Sequence, residues 1–361
     1  MRCCTPLLIV SIVITIVGVS LLTCGSALPH QAECASSLLR CGCDRSLCLC
    51  SGARATCYGQ ATRLSLTEVG LNLTVSGFSL FIASFYVHEL RKRGYTAADF
   101  KKLIATMSLT GGSVFSDPSS YKYCLRYYGK SYVLHKILCD LVNTVYNANA
   151  RPAVREQGYV TQIYRKEIVT DLLSLSPSYL HRSSSASDDG KDEPTSSFLF
   201  DVNYELSAEA VRLGCSANGS VRYGVERRHD HRGSFFVRPQ FAFGYLSTFH
   251  LLQDYKRVLE RLQIHTYPVL DRRFEGRGFL ASASWGALEA FDRIGGFIDG
   301  VEIAHGKYAG IERNALLHAL LAFRRNEPNR FDSMQEATET LEGYLLPPAA
   351  TCFQLTKKDD C

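Results

Sequence analysis

The sequence predicts a mainly α fold with a minor β component (α+β), in which a small disulfide-rich N-terminal module precedes two mostly helical units. Three observations predict it. Six cysteines crowd between Cys34 and Cys57, apolar residues recur at helical spacing through most of the remaining chain, and strand-like alternation appears in only two short stretches. The chain of 361 residues is long enough for two ordinary domains. Its hydrophobic content of 46% with 21% charged residues is that of a globular protein, neither disordered nor polytopic.

The elements follow in order. Leu7 to Leu22 is apolar and free of charge, preceded by Arg2 and followed by the small residues Gly25, Ser26 and Ala27. That pattern suits a signal peptide over 1–27 cleaved after Ala27, with a retained signal anchor as the competing reading. Residues 28–60 hold Cys34, Cys41, Cys43, Cys48, Cys50 and Cys57. So short a module buries almost no apolar area, and three mutual disulfides would hold it. Of the other cysteines, Cys124 pairs with Cys139 and Cys352 with Cys361 in this reading. Cys215 is left over for an intermolecular bond or a buried thiol.

A helical domain is expected over 61–182. Val69 to Val87 lacks charge, yet its polar residues favour a buried globular helix from near Ser76, stopped at Gly94, over a second membrane span. Thr96 with Asp99 opens a helix through Phe100, Leu103, Ile104 and Met107. Val133 to Val145 keeps strict helical spacing, and Pro152 introduces a further helix over Ala153–Leu173. Residues 183–197 are serine-rich and acidic, a solvated linker. A mixed, mainly helical domain over 198–350 follows. Its strands are Phe198–Leu206 and Ser234–Phe243, and its helices Ser207–Leu213, Ser247–Gln263, Trp285–Ile294, Ile311–Arg324 and Ser333–Glu342, the last capped by Asp332 with Gln335. Residues 351–361 form a tail. No internal repeat is visible.

The function expected is that of a secreted or surface-anchored, disulfide-containing interaction protein without an evident catalytic motif. Its partner would be another protein or a glycan at a cell surface, with a covalent dimer through Cys215 open. Membrane contact would arise only through a retained leader or a span at 69–87. The net charge of +5 is small for this length, and nucleic acid is not expected. No cofactor is implied, because zincin, serine-hydrolase and Rossmann signatures are all missing. Gly129-Lys130-Ser131 lacks the upstream glycine of a phosphate loop.

Three weaker patterns are carried forward. His229-Asp230-His231 could ligate a metal through His229 and His231, although the adjacent arginines repel a cation. The glycine-rich stretch Phe274 to Gly310 holds the only tryptophan, Trp285, among Glu275, Asp299, His305 and other acids. It is the basis of the alternative expectation, a secretory-pathway hydrolase acting on glycans with Glu275, Asp299 and His305 as catalytic candidates and Trp285 as a binding platform. The sequons at Asn72 and Asn218 permit N-glycosylation in a eukaryotic secretory pathway.

Overall fold

The computed structural model describes residues 82–156, 158–179, 193–228, 233–274 and 276–345. The chain divides into two compact units, Met1–Glu89 and Leu90–Cys361, and the architecture below is that of the second. The expected leader, the six-cysteine module and the tail with Cys352 and Cys361 lie outside the described residues. Residues 82–92 are helical, and Gly94 at φ +87° ends that stretch. Among the described residues no helix is long and apolar enough to cross a membrane.

The expected predominantly helical fold is corrected. The unit is built on two four-stranded antiparallel sheets, each preceded and crossed by helices. The order runs α1 (Ala97–Gly111), β1 (Gly112–Asp117), β2 (Lys122–Gly129), α2 (Tyr132–Tyr146), β3 (Ala153–Arg155), β4 (Gly158–Ile163) and α3 (Lys166–Leu175). It then repeats as α4 (Tyr204–Asn218), β5 (Ser220–Arg227), β6 (Phe235–Leu246), α5 (Phe249–Arg261), β7 (Tyr267–Leu270), β8 (Gly278–Ser282) and α6 (Trp285–Arg293). Helices α7 (Arg313–Asn326) and α8 (Met334–Leu345) close the described chain. Sheet 1 has the strand order β1-β2-β4-β3 and sheet 2 the order β5-β6-β8-β7. The two halves therefore share one topology, a repeat the residues themselves do not display.

Local chemistry explains the ends of the leading helices. Thr96 and Asp99 form the expected capping box on α1, with the Thr96 amide donating to Asp99 Oδ2 at 2.8 Å. Both leading helices stop at a Gly-Ser pair that turns directly into a strand, Gly112-Ser113 and Gly219-Ser220. Each of these glycines caps its helix with its own N–H, on Ser108 O and Cys215 O. A Cβ on Gly112 would lie 2.6 Å from the Arg126 carbonyl, and one on Gly219 would lie 2.7 Å from that of Cys215. No other residue fits such a junction without moving backbone.

The core forms where each sheet meets its helices. Val114, Leu125, Tyr127 and Ile163 bury one face of sheet 1 against α1, α2 and α3. Val237, Phe241, Phe243 and Leu280 do the same in sheet 2 against α4, α5 and α6. Aromatic contacts knit this second core: Phe243 to Tyr255 at 4.7 Å and Phe241 to Phe291 at 5.1 Å between ring centres. Helices α1 and α4 pack on each other through small residues. The buried hydroxyls of Thr106, Ser108 and Thr110 donate back to Lys102, Ile104 and Thr106 carbonyls, so this surface carries no unpaired donor from them.

Several local expectations change. The helix expected over Ala153–Leu173 is a hairpin, β3–β4, followed by α3. Gly158, at φ +140°, brings β4 so close to β2 that a Cβ there would lie 2.6 Å from Gly129 O. The strand expected over Phe198–Leu206 is a 3-10 turn, Ser197–Leu199, followed by Asn203 capping α4 through a bond from the Leu206 amide. The last helix is capped one position later than expected. Ser333 Oγ accepts from the Glu336 amide and Glu336 Oε2 from that of Asp332. The end of the expected solvated linker is tied down: Thr195 Oγ1 and the buried Ser196 N–H both donate to Asp254 Oδ2.

The cysteines are corrected as well. Cys124, Cys139 and Cys215 are free and buried. Cys124 alternates with the inward Leu125 and so lies on the far face of β2, where its Sγ donates to Leu125 O. Cys139 instead contacts Thr161 on the inner face. A sheet stands between the two thiols expected to pair. Cys215, left open between an intermolecular bond and a buried thiol, is fully buried in α4, and burial pushes its thiol well up.

Candidate functional site

Strand alternation sends one set of side chains from each sheet inward and the other set to an open face. On sheet 2 the inward residues are Val221, Val237, Phe241, Phe243 and Leu280. The open face reads from register partners: Ser220 opposite Ala242, Arg222 opposite Gln240, and Gly224 opposite Arg238. The rows continue through Ala242 opposite Ala281 and Ala281 opposite Tyr267. Small residues at Gly219, Ala242, Gly244 and Ala281 leave the middle low, while long side chains stand around it. The result is a hollow of about 620 Å³ whose walls include Arg222, Arg238, Gln240, Tyr245, Tyr267 and Phe279.

Among the described residues no carboxylate lines this hollow. Two acids of the same sheet region are engaged with arginines. Glu226 takes Arg238 Nη1 at 3.0 and 3.2 Å, and Asp271 is gripped by Arg273 Nε at 3.0 Å and Nη2 at 2.8 Å. The Arg273 guanidinium, with its own amide, holds the Asp271 carboxyl well below the usual range. Arg238 and Glu226 are both exposed, so their pair is screened and easily exchanged for another anion. Arg222 is exposed and in no ion pair among the described residues.

Beneath the hollow, Arg313 at the start of α7 closes the end of α4. Its Nη1 donates to the carbonyls of Cys215 at 3.2 Å, Ser216 at 3.1 Å and Gly219 at 2.8 Å. A cation is favoured there because the unpaired carbonyls concentrate negative charge at a helix C-terminus. Burial pushes the guanidinium below its ordinary pKa. Arg313 is also the floor of a second cavity of about 870 Å³ on the other side of β5, lined by Val221, Val225, Leu316, Lys307, Tyr308 and His305.

Sheet 1 offers an analogous face. Ser113 lies opposite Arg126, and Arg126 opposite Gln162. In each sheet one exposed arginine and one glutamine are thus register partners on the open side.

The expected glycan site does not assemble. Asp299 accepts from Asn314 Nδ2 at 3.0 Å in the turn before α7, and His305 is an exposed wall of the second cavity. Trp285 opens α6 with its ring stacked on Phe323 at 6.4 Å, beside the Arg324 guanidinium. It lines neither cavity. Glycoside hydrolysis needs two carboxyl groups flanking one bond, and among the described residues neither cavity has a lining carboxylate. Glu275, His229 and His231 lie outside the described residues, as does Asn72. Asn218 is the last residue of α4 and donates to Tyr245 O, so its sequon is a helix–strand junction rather than a surface loop.

Sequence reasoning missed Arg222, Arg238, Gln240 and Tyr267. The alternation in Val221-Arg222-Tyr223-Gly224-Val225-Glu226 was the available signal.

No family model matches the chain, and no curated protein does. Solved structures with a similar course include the meganuclease I-SmaMI bound to uncleaveable DNA, at 9% identity and a TM-score of 0.40, covering 68% of this chain and 95% of that one. The endonuclease I-DmoI in complex with DNA and calcium matches at 11% identity and a TM-score of 0.37, covering 55% of this chain and 91% of that one. On the doubled antiparallel sheets and the free, buried thiols, the expected secreted, membrane-associated or surface-exposed disulfide-bonded glycoprotein is withdrawn. With the expected glycan site dispersed and arginines lining the open hollow, the expectations of a protein or glycan partner and of no nucleic acid are withdrawn with it.

Proposed function

We propose that the chain binds a DNA duplex along the open face of sheet 2 and holds it without cutting it. The observation that carries this reading is the hollow, with no carboxylate among its described lining residues, in which Arg222 and Gln240 face one another across β5 and β6 with Arg238 beside them. Guanidinium and carboxamide groups match the donor and acceptor edges that purines present in the major groove. A β-ribbon is narrow enough to enter that groove. The exposed Arg222, and Arg238 when it exchanges its screened pair with Glu226, also meet phosphates, releasing counterions. Arginine, amide and phenol groups recognise such a ligand, but they are not the oxygen-rich set that suits a divalent cation for phosphodiester cleavage.

The test is fluorescence anisotropy of a labelled DNA duplex two to three helical turns long. Binding should weaken steeply between about 50 and about 200 mM salt. Arg222→Ala should reduce the magnitude of the salt slope by about 1, and Arg222→Ala with Arg238→Ala should weaken binding at least tenfold, roughly. Absence of salt-dependent binding, or a double variant that binds like the parent chain, would remove the proposal.

A further inference from the structure

We infer that the open face of sheet 1 takes an unpaired DNA strand, stacking its bases on exposed aromatic rings. This rests on the nucleic-acid reading above and gives the two sheets different tasks.

The sheets share a topology but not a surface. Large aromatic side chains cluster in the open on sheet 1 and its hairpin: Phe115 is 42% exposed, Tyr121 84%, Tyr128 53% and Tyr164 67%. One such residue would need no explanation, but a cluster on one sheet marks a binding surface. Phe115, Tyr121, Tyr123 and Tyr164 line a hollow of about 490 Å³ together with Lys122, Arg126 and Lys166, with no carboxylate among its described lining residues. The cations are available. Arg126 lies beside Cys124 and the Tyr128 hydroxyl and is in no ion pair among the described residues, and the Lys166 ammonium sits 5.7 Å from the Tyr123 ring centre.

The backbone that carries the most exposed of these rings, Tyr121, is fixed by its turn. Asp117 Oδ1 accepts from the amides of Ser119 at 3.1 Å and Ser120 at 3.3 Å, which locks the β1–β2 turn. Tyr121 then occupies the left-handed region at φ 53°, an uncommon place for an aromatic residue. Strain of this kind survives where the surroundings over-determine it, typically at binding sites. Tyr164 donates to Gln162 Oε1 at 3.2 Å, which leaves the Gln162 amide hydrogens for a base edge.

Interleaved rings and cations are the chemistry of a single strand. A base in a duplex has both faces covered by its neighbours, so a protein ring stacks only on a base that is unpaired. Lysine and arginine between the rings meet the phosphates. Sheet 2, with hydrogen-bonding groups at its centre, reads groove edges instead. Since DNA is the polymer assigned to sheet 2, the strand on sheet 1 is DNA.

The experiment uses the full chain and two labelled probes, an oligothymidylate of about ten nucleotides and the duplex described above. Tyr121→Ala with Tyr164→Ala changes two exposed side chains, and circular dichroism checks that the fold is kept. That variant should lose roughly tenfold or more in affinity for oligothymidylate and stay within about twofold for duplex. Tyr121→Phe with Tyr164→Phe keeps both rings and should restore single-strand binding. The inference is overturned if the alanine variant binds oligothymidylate like the parent, if phenylalanine fails to rescue, or if oligouridylate binds about tenfold tighter than oligothymidylate. Tyrosine-dependent single-strand binding without any duplex binding would sustain this inference while removing the sheet 2 proposal.

Discussion

The Thr110 methyl lies 3.4 Å from where a Cβ would stand on Gly214, and the Phe243 ring lies 3.0 Å from the same point. A methyl at position 214 would press first on the Phe243 ring and just touch Thr110, so anything larger would push on the sheet and on α1 together. Ala105 and Ser108 of α1, with Ala210 and Cys215 of α4, are likewise small and buried.

Filling that space should destabilise the protein. Gly214→Leu is expected to lower unfolding free energy by about 1–3 kcal/mol through overpacking. Gly214→Ala should change it by less, because the helix propensity gained, about 1 kcal/mol, offsets the crowding. Urea midpoints of the two variants decide this; a leucine variant as stable as the parent would mean the helices do not meet as described.

Acid should weaken the fold through His135. The ring is buried between Tyr127 and Tyr159, its Nδ1 is 2.9 Å from Thr161 Oγ1, and burial pushes its pKa down to about 4 from the ordinary 6.5. Between those values the unfolded chain binds a proton that the folded chain refuses. The contribution is therefore intact above pH 6.5 and lost as pH falls toward 4, by on the order of 1–3 kcal/mol. Asp140 on the same helix is pushed up by burial and titrates in the opposite sense, so the parent must be compared with His135→Gln. The parent should lose more stability than the variant between neutral and acid pH; parallel pH profiles would contradict the assignment.

Removing the cation that closes α4 should cost about 1–3 kcal/mol, since Arg313→Ala removes the donor shared by the Cys215, Ser216 and Gly219 carbonyls, of which Cys215 O keeps the Gly219 N–H. Hydrogen exchange should accelerate in the last turn of α4 before it does in α1. Arg313→Lys keeps the charge but not the fork, and should recover only part of the loss. Uniform acceleration across both helices would argue against a local cap.

The thiols should be inert until the fold opens. Cys124, Cys139 and Cys215 are buried, and burial pushes Cys139 up to about 11. A thiol reagent at neutral pH should leave all three unmodified in the native protein and modify all three in denaturant. Peptide mapping that finds a Cys124–Cys139 bridge would contradict the sheet between them.

What could be read from the residues is what neighbours in sequence decide. The Thr96–Asp99 box, the α2 face from Val133 to Val142, the α5 and α6 helices and strand β6 all depend on contacts within a few positions, and each stands close to where it was expected. The β1–β2 hairpin and β5, β7 and β8 escaped because a strand has no partner until a distant segment pairs with it. Their half-polar runs are ordinary loop sequence when read alone. Cys124 and Cys139 looked able to pair because they flank one helix, and only strand pairing shows that they occupy opposite faces. The candidate site is a matter of register throughout. Arg222 and Gln240 are eighteen positions apart, and one residue of slip would turn one of them inward. Local chemistry thus settles where a well-capped, strongly periodic helix such as α1 or α2 begins and which of its residues avoid water. That two unlike halves fold alike, and that arginine meets glutamine on an open sheet, is left to tertiary structure, because those outcomes depend on non-local pairing between segments that have no means of recognising one another before they meet.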